Sequence, residues 1–189
     1  MTYTTLSRAE VQAALEAVAR EVEAAFGALD ARRLNWRPSE AQWSVAQCLE
    51  HLLHANRLMR DAADAALAPG RTQTLWERMP VVPGLFGRLL ITSQAPGGAR
   101  KFKTTPQATP AASAIDGDVV RRLVDHHRQL AAWVAGADEP RAARTVMTSP
   151  FAGFVIYTVL DGWRLMVSHD HRHVEQARRV MALPAFPAA

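Results

Sequence analysis

Apolar residues recur at steps of three and four along four long stretches of this sequence, and the first stretch shows the pattern most clearly. Ser7 and Glu10 form an S-x-x-E capping box, which predicts a helix over 7–29. Its apolar residues fall on one face: Val11, Ala14, Leu15, Val18, Ala19, Val22, Ala25, Phe26 and Leu29. Four stripes of this kind have to be buried against one another, so we predict an all-α four-helix bundle.

The other three predicted helices have recognisable starts or ends. The second begins at Ser44, where Gln47 completes an S-x-x-Q capping box, and it ends before Pro69. The third runs over 118–135 and the fourth over about 155–182. No stretch alternates apolar and polar residues with a period of two, so we expect no sheet.

Residues 69–116 interrupt the helical pattern with many prolines and glycines. They predict a long crossover between the second and third helices, with a short helix at 85–91. The crossover carries the basic residues Arg100, Lys101 and Lys103. This basic segment could hold the carboxylates of a cosubstrate, although a solvated loop is the simpler interpretation.

Composition limits the classes of protein that the chain can represent. Its 189 residues, 49% hydrophobic and 21% charged, predict a single globular domain over 1–189. The net charge is +4, but its arginines are scattered among acids, so we expect no nucleic-acid partner. The sequence has no apolar run of about 18 residues and no signal peptide, so we expect a cytoplasmic protein without a membrane partner. The single cysteine, Cys48, excludes an internal disulfide.

Three of the seven histidines lie in the segment SHDHRH at 168–173. His169 and His173 are four residues apart, so they share one helical face, and Gln176 lies on the same stripe. Such a pair can hold one cation. Gln176 is placed to bond a metal-bound water, although a helix-surface amide is an equally good interpretation. His171 lies on the opposite side and is expected in solvent. Pairs of this spacing also occur without a metal, and a metal site needs a third ligand from elsewhere.

The second helix offers two further histidines, His51 and His54. His51 lies at the boundary of the apolar face, whereas His54 lies further towards solvent, so His51 is the better third ligand. His126 and His127 on the third helix remain alternatives, although His127 is more simply interpreted as a packed or hydrogen-bonded side chain.

Two segments, 35–52 and 169–180, together resemble the DinB-like superfamily. The matching features are Trp43-Ser44 followed by His51-Leu52, and His169 and His173 followed by Gln176. The resemblance implies a four-helix bundle with a long connection between helices two and three. It also implies a divalent metal, most often zinc or nickel, held by His51, His169 and His173, and it implies a homodimer. Some members transfer groups to a low-molecular-weight thiol.

Three functions are compatible with these features. Three imidazoles leave a metal with an open position, which is typical of catalytic sites, and that position could hold water or a thiol. The first hypothesis is therefore a metal-dependent enzyme, such as a thiol S-transferase acting on a small-molecule substrate. The second is a metal-binding stress-response protein without turnover. The third is a helical interaction module whose histidines are incidental.

Overall fold

A computed structural model describes residues 2–97, 109–110 and 114–188. The basic residues Arg100, Lys101 and Lys103, interpreted more simply as part of a solvated loop than as a cosubstrate site, lie outside this part of the chain. A short 3-10 helix spans Tyr3–Thr5. The α-helices of the described residues are α1 (Arg8–Phe26), α2 (Ala31–Asn35), α3 (Val45–Ala66), α4 (Val82–Gln94), α5 (Val119–Ala135), α6 (Glu139–Arg144) and α7 (Val159–Met181). None of these helices is long and apolar enough to cross a membrane.

Helices α1, α3, α5 and α7 form the bundle, which confirms the all-α prediction. Both predicted capping boxes are present at the starts of α1 and α3. The side chains of Ser7 and Ser44 accept hydrogen bonds from the backbone N–H groups of Glu10 and Gln47, whose side chains bond back to the capping residues. These bonds satisfy backbone groups that a helix start leaves free, and they fix where α1 and α3 begin.

The apolar core consists of two clusters, and their membership gives the directions of the helices. One cluster joins the first halves of α1 and α7 to the second halves of α3 and α5; it includes Leu15, Met59, Leu130 and Trp163. The other joins the opposite halves and includes Phe26, Leu49, Leu123 and Val174. Helices α3 and α5 therefore run in the same direction. Their connection has to return along the length of the bundle, which explains the long crossover.

Buried polar side chains separate the two apolar clusters. They come from three helices, and each is at most 9% exposed: His51, Asn56, His126, His127, Ser168, Asp170 and His173. Polar groups at this depth are stable only when hydrogen bonds or ligands replace the water that they lose. This polar layer is therefore the part of the core in which a functional site is expected.

The crossover helix α4 packs against α7. At Gly87 the two helices approach so closely that a Cβ atom there would lie 2.6 Å from Oδ2 of Asp161. Near the other end of α4, the guanidinium of Arg172 donates a hydrogen bond to the carbonyl of Ser93 over 3.0 Å. Helix α4 therefore lies along α7 and reaches the turn that carries the predicted histidine ligands.

The prediction of no sheet was wrong. Strand β1 (Val146–Ser149) pairs in antiparallel fashion with β2 (Ala152–Thr158), and α7 begins only at Val159 rather than near 155. The period-two signal is absent because three consecutive residues of β2, 155–157, are all buried. A short apolar run of this kind cannot be distinguished from a buried helical turn by periodicity alone.

Candidate metal centre

Helices α3 and α7 bring His51, His169 and His173 together. The Nε2 atoms of His51 and His169 are 3.2 Å apart. One ring nitrogen from each of the three residues lies within 4.8 Å of the other two. The ring centroids of His169 and His173 are 4.5 Å apart, and that of His51 lies 5.0 and 4.6 Å from them. This buried group could bind a metal ion, because bonds of about 2.0–2.1 Å from three imidazoles converge on one point.

The sequence places these rings through two local features. His169 and His173 are separated by four residues on α7, so their side chains lean over the same turn. His51 lies in the second turn after the Ser44 cap, on a face of α3 that packs against α7. These are the three residues predicted from the sequence to be ligands. The structure confirms that they are neighbours, and their role as ligands stays a prediction.

The cluster is covered on one side and more open on another. His51 and His173 are only 5% and 9% exposed, whereas His169 is half-buried. The indole of Trp43 stacks on the ring of His173 with centroids 5.8 Å apart, and its centroid is 5.0 Å from that of His51. Trp43 therefore shields two of the three imidazoles. His169 is the least buried of the three histidines.

Two imidazoles of the cluster, those of His169 and His173, are held in the neutral state. Burial lowers the pKa of His173 to about 3, and the neighbouring His51 and Arg172 add to this effect. The pKa of His169 is also well below its usual value, first because of burial and then because of His173 and His51. A neutral imidazole keeps a lone pair for a cation, so neither ring needs to lose a proton before it binds a metal near pH 7.

One detail at His173 suits a bound cation. Its Nδ1 atom is buried without a hydrogen-bond partner in the described part of the chain. Buried polar atoms without partners are uncommon, and a metal ion is one way to satisfy them. Gln176 follows His173 by three residues on α7 and opposes the lowering of its pKa. The bond from Gln176 to a metal-bound water stays a prediction.

The alternative ligands on α5 do not belong to the cluster. The Nδ1 atom of His127 lies 3.0 Å from the carbonyl of Leu123, and its Nε2 atom lies 3.0 Å from the carboxylate of Asp170. His127 is therefore the packed, hydrogen-bonded residue that was the simpler interpretation. His126 is buried nearby, and burial followed by the proximity of His127 lowers its pKa to about 4.

The expectation that His171 lies in solvent was wrong. The ring is half-buried, and its Nδ1 atom is 3.1 Å from the hydroxyl of Tyr3. The helical spacing correctly predicted that His171 points away from the cluster. It could not show that the N-terminal 3-10 helix packs on this face of α7. His54 is also half-buried and outside the three-histidine group.

A second polar group, beside the cluster, was missed in the sequence. The Oδ1 atom of Asp170 accepts a hydrogen bond from Nδ2 of Asn56, and its Oδ2 atom accepts one from His127, both over 3.0 Å. Burial alone would raise the pKa of Asp170, but His127 and these hydrogen bonds hold it below its usual value. Burial would likewise lower the pKa of His127, yet Asp170 raises it. The sequence feature that could have revealed this group is the aspartate between His169 and His171, on a helix with a buried face.

The single cysteine does not take part in the site. Cys48 is fully buried in the apolar cluster that also contacts Trp43. Burial raises the pKa of its thiol to about 12, so the group stays protonated and behaves as a small apolar side chain.

The fold and the site define a four-helix bundle with three histidines grouped between its second and last long helices. The family model described as the DinB superfamily matches residues 14–177, which is most of the chain. The protein therefore belongs to the DinB superfamily. No match was found among curated proteins or among solved structures.

The pKa shifts predict how pH changes the stability of the metal-free protein. An unfolded histidine binds its proton near pH 6.5, whereas folded His173 does so only near pH 3. Between these values the unfolded chain binds more protons, so the free energy of unfolding should decrease as pH falls from about 7 to about 4. His169 acts in the same direction. Urea unfolding of chelator-treated protein at several pH values measures the slope.

The control for this experiment is His173→Asn, which removes one titrating ring. Its stability should depend less steeply on pH than that of the unchanged protein. Equal slopes for the two proteins would contradict the neutral, buried state assigned to His173. His127, whose pKa is raised, contributes in the opposite sense in both proteins and so cancels in the comparison.

Proposed function

We propose that the protein binds a divalent cation through His51, His169 and His173 and is a metal-dependent enzyme. The proposal rests chiefly on three ring nitrogens, carried by two helices, that lie within 4.8 Å of one another. Three protein ligands leave at least one coordination position free, as in catalytic rather than structural sites. Imidazole ligands suit several transition metals; zinc or nickel is proposed here because of the resemblance to metal-binding members of the superfamily.

The proposed reaction is transfer of a group from a small electrophile to a low-molecular-weight thiol. When bound, the cation would supply a positive charge that favours the thiolate over the thiol. The chain itself cannot supply that thiol, because its single cysteine, Cys48, is buried with its pKa raised to about 12. Trp43 limits access to His51 and His173, so the cosubstrate is expected to approach beside His169.

Metal analysis tests the ligand set. Untagged protein should contain about one zinc or nickel ion per chain, and His169→Ala should lose it, because two imidazoles hold a cation far less tightly than three. The matched control is His54→Ala, which removes a half-buried histidine outside the cluster. Elemental analysis of the three proteins provides the measurement. Metal content that is unchanged in His169→Ala would refute the site, and untagged protein without metal would favour a helical interaction module.

Turnover separates an enzyme from a metal-binding protein without activity. The metal-loaded protein should accelerate the reaction of one of a panel of thiols with 1-chloro-2,4-dinitrobenzene, forming the S–C bond and releasing chloride and a proton. The rate should fall to background in His169→Ala and persist in His54→Ala. Formation of the thioether product is measured by its absorbance. Metal binding without any rate above background would instead support a metal-binding stress-response protein.

We also propose that the protein forms a homodimer through an apolar surface on the crossover and the hairpin. Eight large apolar side chains are exposed in the described part of the chain, and seven of them lie on the crossover and the hairpin: Leu75, Trp76, Met79, Val81, Leu85, Leu89 and Phe154. Exposed apolar side chains in this number are typical of an interaction surface. A second copy of the chain is the proposed occupant, because the resemblance to the superfamily implies a homodimer.

The apolar surface is held in place rather than loosely attached. Nε1 of Trp76 donates a hydrogen bond to the carbonyl of Phe154 over 3.0 Å. The adjacent Glu77 is 2% exposed and accepts hydrogen bonds from Arg71 and from the hydroxyl of Thr148 on β1. These bonds join the segment around Trp76 to the hairpin, so this part of the proposed interface is preformed.

Substitution within this surface tests the dimer. The double variant Leu85→Ser, Leu89→Ser should be monomeric at concentrations where the unchanged protein is dimeric, because it removes two apolar anchors from the proposed interface. The control Leu183→Ser changes the exposed leucine that lies outside the surface and should remain dimeric. Sedimentation velocity gives the masses. A monomeric unchanged protein, or a dimer that survives the double substitution, would refute this interface.

A further inference from the structure

We propose that Asp170 is a positioning residue for the three-histidine cluster. Its carboxylate, through Asn56 and His127, fixes the rotation of α7 that directs His169 and His173 towards His51. The inference rests on the proposed metal-binding function and assigns a role to a buried polar group that makes no contact with a substrate.

The carboxylate of Asp170 ties three helices together at one point. It accepts hydrogen bonds from Asn56 of α3 and from His127 of α5, each over 3.0 Å. The other ring nitrogen of His127 lies 3.0 Å from the carbonyl of Leu123, so this ring is held at both ends. Asn56, His127 and Asp170 are all 0% exposed. Water therefore cannot easily replace these bonds, and the arrangement is a rigid one.

The position of Asp170 on α7 couples its direction to that of the ligands. Asp170 follows His169 directly and precedes His173 by three residues. Successive side chains on a helix are rotated by about 100°, so Asp170 points into the bundle while the two histidines point to the side. Since a helix is stiff over one turn, fixing the direction of Asp170 also fixes the directions of both histidines.

The same bond also places the helix that carries the third ligand. Asn56 lies five residues after His51 on α3, which corresponds to about 7.5 Å along the helix axis. The hydrogen bond between Asn56 and Asp170 thus sets the position of α3 against α7 close to the level of the cluster. Apolar contacts alone are not directional and would allow the two helices to slide or rotate.

Stability alone is a poor explanation for this group. A buried carboxylate loses its hydration, and well-packed apolar side chains of similar volume are often at least as stabilising as a buried ion pair. Directional polar groups in a core are best attested where they select one register among several. Here the register that they select is the one that brings the three imidazoles together.

The test compares metal affinity with stability in four variants. Asp170→Asn removes the charge and one acceptor, and Asn56→Ala removes only the bond to α3. His127→Gln keeps an N–H donor near the position of Nε2 and serves as the conservative variant. Leu130→Val weakens the apolar packing of α5 without touching the polar group. Zinc affinity is measured by competition with a chromophoric chelator, cobalt(II) geometry by visible absorption, and metal-free stability by thermal unfolding.

Asp170→Asn should bind zinc about tenfold more weakly or worse and should alter the cobalt(II) spectrum, as expected when the support of metal ligands is removed. Asn56→Ala should show a smaller loss in the same direction, and His127→Gln should remain close to the unchanged protein. Leu130→Val should lower the unfolding temperature while leaving affinity and spectrum unchanged. If Asp170→Asn does not fold, Asn56→Ala, which retains the pair between Asp170 and His127, carries the comparison.

Two results would overturn the inference. The first is an unchanged affinity and cobalt(II) spectrum in folded Asp170→Asn and Asn56→Ala. The second is that Leu130→Val loses zinc affinity in proportion to its lost stability, just as the variants of the polar group do. The polar group would then act on metal binding only through the stability of the fold. Failure of the unchanged protein to bind metal is a different result, because it refutes the proposed function itself.

Discussion

The burial of polar side chains between two apolar clusters is the constraint on which the rest of this structure depends. An apolar core alone would accept many rotations and translations of its helices. A core that contains an ionised carboxylate accepts only those arrangements in which that group is paired, because an unpaired charge at this depth is very costly. Asp170 obtains its partners from α3 and α5, and one arrangement of the bundle follows from that requirement.

The same layer links stability to chemistry. On one side of α7, Asp170 is paired with Asn56 and His127. On the adjacent side, ring nitrogens of the three histidines lie close to one another. Burial disfavours the protonated forms of His169 and His173, and Nδ1 of His173 has no partner in the described part of the chain. A bundle that pairs its buried carboxylate in this way can hold the histidines beside it in an arrangement suited to a cation.

The sequence predicted those features that depend on neighbours along the chain. Capping boxes and apolar stripes located the long helices, and the four-residue spacing of His169 and His173 with the face of His51 located the cluster. Features that depend on distant segments were not predictable in this way. The partners of Asp170 lie on two other helices, and the 3-10 helix that covers His171 is far away in sequence. The hairpin escaped detection because consecutive buried residues hide the alternation of a strand.

The parallel course of α3 and α5 has an evolutionary consequence. Their connection has to span the bundle, yet its described residues 68–97 are mostly exposed, and changes in length and composition at such positions disturb the core little. Part of it also reaches Arg172, next to the histidines. Descendants of such a chain can therefore diversify what they recognise by altering one external segment, while the helices that hold the imidazoles are inherited unchanged.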